Sequence, residues 1–230
     1  MAGNFLRGAF IEYVDTGLIP APNVIIFQFN PEQLTHTWQP ASTQYDGNVL
    51  AVSGYAGESF QFDLKMDAND MLADGSPVAQ ALATASGIYT RIAALEMLLQ
   101  PTSSMSTNPL LQTAAAAASS VGAGPQKGTQ VPSGQLPTVL FVWGPGRILP
   151  IKVTSLTFTE TIYDSVLLNP IHAEASIGIQ VLTPTEIQFL TGPLATVAQM
   201  SYSYANSLRQ ALAVANLANS AESAVGMLPF

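Results

Sequence analysis

The chain has 230 residues, 48% hydrophobic and only 10% charged, with a formal net charge of -8 and no cysteine. The acidic balance, 15 Asp and Glu against 7 Lys and Arg, argues against a groove that tracks nucleic-acid phosphates, which needs clustered basic side chains. Disulfide staples and thiolate metal sites are excluded outright, and the length suits one large domain with appendages. A soluble monomer carries about 25% charged residues, so the uncharged surface left here after folding calls for partners.

Residues 8–14 and 24–30 read as two strands joined by a turn region containing Gly17, Pro20 and Pro22. Asn30-Pro31 stops the second, because proline has no N–H for the ladder. Residues 38–56 are polar, aromatic and Gly-containing, which suits a long loop with an edge strand around 48–54. From 58 to 66 the chain alternates, with Phe60, Phe62, Leu64 and Met66 on one face and Ser59, Gln61, Asp63 and Lys65 on the other. That is the pattern of a half-buried strand.

Asp74-Gly75-Ser76-Pro77 announces a helix, with Ser76 as N-cap and Pro77 in the first turn. Val78, Leu82, Ala85, Tyr89, Ile92, Leu95 and Leu99 then recur every three or four residues, a stripe to pack on a sheet before Pro101 ends it. In residues 101–135 Ser, Thr, Ala, Gly and Gln dominate and Lys127 is the only charge. This composition predicts a flexible insertion with a short helix at 110–118, either an arm that orders on a neighbouring subunit or a tolerated surface loop.

Residues 136–182 read as a β-meander of three strands. Val139, Phe141 and Trp143 share one side of the first, and Gly144-Pro145-Gly146 turns it. The second, 151–163, puts Ile151, Val153, Ser155, Thr157, Thr159 and Thr161 on one face, and Lys152, Thr154, Leu156, Phe158, Glu160 and Ile162 on the other. Neither face is cleanly polar, which suits a barrel wall with neighbours on both sides. Pro184 ends the third strand, and an Ala-rich segment, 194–225, carries Val197, Met200, Tyr204, Leu208, Leu212, Ala215 and Ala218 at helical spacing. No run approaches the roughly 20 apolar residues that cross a bilayer, residues 114–118 included, and residues 1–10 lack the apolar core of a secretory signal.

Signals for chemistry are weak throughout. His36 and His172 stand far apart with no metal-ligand spacing. The acidic series Asp63, Asp67, Asp70, Asp74 fails as a calcium loop, since a loop starting at Asp67 puts Met71 at a ligand position and Leu72 where glycine is needed. In 122–129 the order Lys127-Gly128 departs from a phosphate loop, and no Gly-x-Ser-x-Gly elbow occurs. Trp143, at a strand end before Gly-Pro-Gly, reads as a packing anchor.

A Pro-rich entry, an apolar strand ending in Trp143-Gly144, a Thr/Phe-rich strand, then Asn169-Pro170-Ile171-His172-Ala173 and an alternating strand together resemble contractile injection system tube and baseplate-adaptor proteins. These are relatives of the inner tube of contractile phage tails. Phe27-Gln28-Phe29-Asn30-Pro31-Glu32-Gln33-Leu34 resembles that family's Phe-x-Phe-Asn-Pro-Glu segment, and 58–67 resembles its strand ending in Phe-x-Asp-type residues. The likeness covers most of residues 5–182. It departs where the family has Gly-x-Pro and a basic residue near 169–172, and in the lack of an evident LysM module.

The resemblance and the pattern together imply a mainly β, α+β fold: a tail-tube-like β-barrel or two-sheet sandwich with one packed helix over 1–182, interrupted by the insertion at 101–135, and a helical extension over 183–230. Implied with it is a structural subunit without enzymatic activity or cofactor. Such a subunit closes into a hexameric ring between inner tube and spike, hub and baseplate subunits, or caps the tube beside the sheath. It assembles in the cytoplasm into a particle kept there or released. Phe29, Asn30, Pro31, Trp143, Phe158, Pro170 and His172 are the expected assembly or packing anchors. The opposing expectation is a monomeric binding module or hydrolase with the 101–135 loop over a barrel mouth.

Overall fold

Alternating apolar side chains dictate a single large sheet, and its aromatic residues decide how that sheet bends. The computed structural model describes residues 6–14, 21–43, 50–73, 77–100, 136–190 and 193–227. The strands are β1 (Ala9–Val14), β2 (Ala21–Ile26), β3 (Leu34–Gln39), β4 (Ser42–Thr43), β5 (Val52–Ser53), β6 (Gly57–Asp67), β7 (Val139–Val142), β8 (Ile148–Tyr163) and β9 (Pro170–Val181). Seven of them form an antiparallel sheet in the order β2-β1-β7-β8-β9-β6-β3, while β4 and β5 pair separately.

Phe10 in β1 and Phe62 in β6 are separated by three intervening strands. In a flat sheet they would lie about 19 Å apart at the usual strand spacing, yet their rings stack at 6.2 Å. The sheet therefore rolls around an aromatic core in which Phe10, Phe27, Phe60 and Phe62 each meet another core ring within 7 Å and all but Phe60 meet Phe62 or Phe10 directly.

The expected α+β, mainly β class holds, but hydrogen bonding does not close the barrel: among the described residues β2 and β3 remain its two edges. The segment between them crosses the opening. There Gln28 lends its carboxamide to the end of β6, accepting from Asp67 N at 3.0 Å and donating to Asp67 O at 2.8 Å. One side chain thus supplies the two bonds a neighbouring strand would make.

Strand β6 has the expected alternation, with Phe60, Phe62, Leu64 and Met66 buried. The mixed faces of β8 have a local cause: a register shift lies between Val153 and Ser155. Before it Ile151 and Val153 face the core; after it Leu156 and Phe158 do, opposite Ile177 and Ala175 of β9. A bulge adds one residue and so swaps the faces of everything downstream.

The hairpin β1–β2 forms as expected, although β2 stops at Ile26 rather than residue 30. Proline sits inside β2, at Pro22, and it is tolerated because β2 is an edge. Residues 34–39, not expected as a strand, form β3 on β6. The turn residues Gly17 and Pro20, the cap Ser76 and the insertion 101–135 lie outside the described residues.

Instead of one packed helix there are α1 (Ala68–Ala73), α2 (Pro77–Ser86) and α3 (Tyr89–Met97). Gly87 divides the last two. Its φ is +57°, and a Cβ there would lie 2.3 Å from Pro170 O, so glycine lets the chain turn and Ile88 N donate to that carbonyl at 3.0 Å. The break also rotates the stripe: Ile88, Ile92, Leu95 and Leu98 are buried, whereas Leu82, Tyr89 and Leu99 are exposed.

After β9 comes the short α4 (Pro184–Ile187). It is started by a capping box in which Thr183 Oγ1 accepts from Glu186 N and Glu186 Oε2 accepts from Thr183 N at 2.8 Å. The long α5 (Pro193–Met227) follows and sets Ala198 and Ala205 into the body, both essentially fully buried.

Candidate functional site

The end of the β8–β9 hairpin is built as a rigid apolar platform. Asp164 Oδ2 accepts from the N–H groups of Val166 and Leu167 at 3.3 and 2.8 Å, Leu168 N donates to Asp164 O at 3.0 Å, and Asp164 N donates to Asn169 O at 2.9 Å. Asn169 Nδ2 donates to Ala85 O of α2 at 3.0 Å, tying the tip to the helices. With the backbone satisfied, the side chains point to water: Ile162, Tyr163, Val166, Leu167 and Leu168 are all at least half exposed.

Ile162 and Leu168 flank this tip with φ of 58° and 56°, a left-handed conformation that a β-branched residue such as Ile162 or a bulky one such as Leu168 rarely adopts. Such strain persists only where the surroundings impose it.

A second cluster fixes α5 to the sheet. Glu58, buried in β6, accepts from Arg209 Nη1 at 2.9 Å and from Arg209 Nη2 on its other oxygen. His36 Nε2 lies 2.9 Å from Glu58 Oε1 and its ring stacks on Phe60 with centroids 4.2 Å apart. The Arg209 guanidinium also covers Trp38 at 5.2 Å. Beside them a pocket of about 10 Å³, room for roughly one water molecule, is lined by Trp38, Ala56, Glu58, Val181, Leu182, Thr183 and Tyr202.

Burial pushes the Tyr202 hydroxyl above its ordinary pKa. Burial also pulls the nearby Glu186 carboxyl up, but Lys152 at 2.8 Å and the two Thr183 hydrogen bonds outweigh it and hold that group below the usual carboxylate range. The Thr183 hydroxyl donates to Glu186 Oε2 at 2.9 Å, so that these groups fix the start of α4 beside the docked face of α5.

The seven expected anchors fall into separate neighbourhoods. Asn30 Oδ1 accepts from Gly8 N at 2.8 Å and its Nδ2 donates to Leu6 O, beside the half-buried Pro31 and the exposed Phe29. Trp143 leans on Phe27 and Phe141; a Cβ on Gly8 would come within 2.7 Å of both Phe27 and Trp143, so glycine permits this packing. Phe158 packs on the core and Pro170 is buried under α3. His172 Nδ1 stands 3.7 Å from Asp67 Oδ2.

Sequence reading missed the Glu58–Arg209 pair, whose members lie 151 positions apart, and the hairpin tip. A signal for the tip existed: Val166-Leu167-Leu168 is a short apolar run directly after Tyr163-Asp164-Ser165, out of place in a turn.

Among the described residues no three His, Asp or Glu side chains gather so as to hold a metal, and no helix is long and apolar enough to cross a membrane. Fold and surface together define an α+β protein on a rolled, open antiparallel sheet, with an apolar hairpin tip facing solvent. No protein-family model matches the chain, and no curated protein matches it.

Proposed function

We propose that the chain is a structural, non-enzymatic subunit of a contractile injection particle, forming a ring that joins the inner tube to spike and baseplate components. The observation that carries this reading is the hairpin tip. Five large apolar side chains stand in water on a backbone already held by its own hydrogen bonds. Exposed apolar surface on an ordered scaffold favours burial against a protein partner. The two sheet edges, β2 and β3, support the same reading: among the described residues neither pairs with a further strand, and an edge offers N–H and C=O groups to a neighbouring copy.

The test is fractionation of particles from the producing cells with mass spectrometry of the sheath-containing fraction. The wild-type chain is expected there, and the double variant Val166→Asp/Leu167→Asp is expected to be lost from it. Both residues are more than 60% exposed, so the variant keeps its fold. A wild-type chain absent from those fractions overturns the reading.

A further inference from the structure

The two edges of the sheet are not alike. In an antiparallel ladder alternate residues turn their N–H and C=O groups to opposite neighbours. Phe27 N donates to Gly8 O at 2.9 Å, continuing the ladder of β1 with β2, so the odd residues of β2 bond β1 while Pro22, Val24 and Ile26 face outward. That edge is interrupted. Pro22 has no N–H to give, and Ile26 O already accepts from Arg91 Nη1 of α3 at 3.5 Å.

Strand β3 presents a complete edge. Asp67 N and O reach Gln28 rather than β9, so the odd residues of β6 turn towards β3, where Gln61, Ser59 and Gly57 stand opposite Thr35, Thr37 and Gln39. Leu34, His36 and Trp38 therefore turn their N–H and C=O groups outward. Residues 35–39 are all exposed, and Trp38 keeps 49% of its surface in water although the Arg209 guanidinium lies over its ring.

We infer that this edge pairs with β3 of a second copy of the chain, antiparallel and about a two-fold axis at His36. The outward N–H and C=O groups select a β-strand as the occupant, and the side chains select this strand. Leu34-Thr35-His36-Thr37-Trp38 has the same pattern from either end, apolar, Thr, His, Thr, apolar. The axis therefore sets Thr35 of one copy against Thr37 of the other, a favourable cross-strand pair, and Leu34 against the exposed Trp38, while about six backbone hydrogen bonds form. Charge agrees with this choice. The net -8 makes much of the surface repel another copy, yet residues 33–43 hold no Asp, Glu, Lys or Arg, and Glu32 just before them is answered by Lys65 at 2.8 Å. Strand β2 of a second copy fits less well, since its Pro22 leaves a carbonyl of β3 unanswered and its Ile26 O is already taken by Arg91.

This pairing does not depend on the particle reading and uses no residue of the hairpin tip. The chain has no cysteine, so thiols placed by substitution report the register. Thr35 of one copy and Thr37 of the other form a non-hydrogen-bonded pair with Cα atoms about 4.5 Å apart, within reach of a disulfide, whereas identical positions fall on the diagonal, about 7–8 Å apart. Under dissolved oxygen a mixture of Thr35→Cys and Thr37→Cys proteins is expected to link copies about tenfold or more faster than either protein alone, because pairing raises the local thiol concentration. Light scattering on the purified full chain is expected to give twice the monomer mass. The variant Thr35→Asp/Thr37→Asp sets like charges directly across the pair and is expected to give the monomer mass with unchanged circular dichroism. Equal linking in all three preparations, no linking, a monomeric wild-type chain, or a mass unchanged in the doubly substituted variant overturns the inference.

Discussion

Glu12 shows how much a single residue is governed by its surroundings. It sits on β1 opposite Asn23 of β2 and Val139 of β7. Burial raises its pKa above the ordinary 4.5, and the hydrogen bond from Asn23 Nδ2 at 3.0 Å only partly offsets this. The folded state therefore holds the Glu12 proton more tightly than the unfolded one. The stability this gives is complete below about pH 4.5 and disappears as pH rises through the folded value. Glu12→Gln keeps an acceptor for Asn23 and removes the buried charge. It is expected to melt higher than wild type at pH 7, with the gap closing below pH 4.5; calorimetry of both proteins at each pH checks this. Comparing the pair at one pH cancels the opposite tendency of Glu186, whose lowered pKa withdraws stability on acidification. In sequence Glu12 reads as one more polar residue in a strand, because β7, which closes its other side, comes from far along the chain.

At the scale of elements, periodicity told true where the backbone was regular. Strand β6 and the existence of α5 were legible, since one face of each meets a single neighbour throughout the contact. In β8 one extra residue between Val153 and Ser155 swapped the faces, and in 77–99 Gly87 turned the stripe. Neither break changes composition, so neither shows in a pattern of apolar residues. The attachment of α5 was equally hidden, resting on Arg209 and a carboxylate in β6. Arg209→Ala leaves Glu58 buried with His36 as its remaining close partner and is expected to cost about 1–3 kcal/mol, the penalty of a buried polar group losing its partner. Pairing it with Glu58→Gln should recover a good part of that loss, as a double-mutant cycle in urea would read.

For the whole molecule, the buried core joins the sheet, α3 and the docked part of α5, with Ala205 in the same apolar cluster as Phe10 and Ile92. Removing residues 193–230 strips Glu58 of its cation as Arg209→Ala does and in addition uncovers the apolar surface under Ala198, Tyr202 and Ala205, so it is expected to cost more than that substitution, about 3–5 kcal/mol in all. Ending the chain after Gln210 spares these contacts and should cost no more than about 0.5 kcal/mol, the range of surface changes. Thermal unfolding of the two truncated proteins separates the cases.

The sequence by itself determined the local terms: which stretches alternate, where proline and glycine stop them, that cysteine and basic clusters are missing, and that a long helix follows the last strand. Each of these follows from residues within a few positions of one another. Only the tertiary structure decided that the sheet rolls yet stays open between β2 and β3, that Gln28 stands in for a strand, and which apolar residues remain in water. Those outcomes come from contacts between segments many residues apart, where the twist of the whole sheet and the packing of its aromatic rings outweigh any local preference.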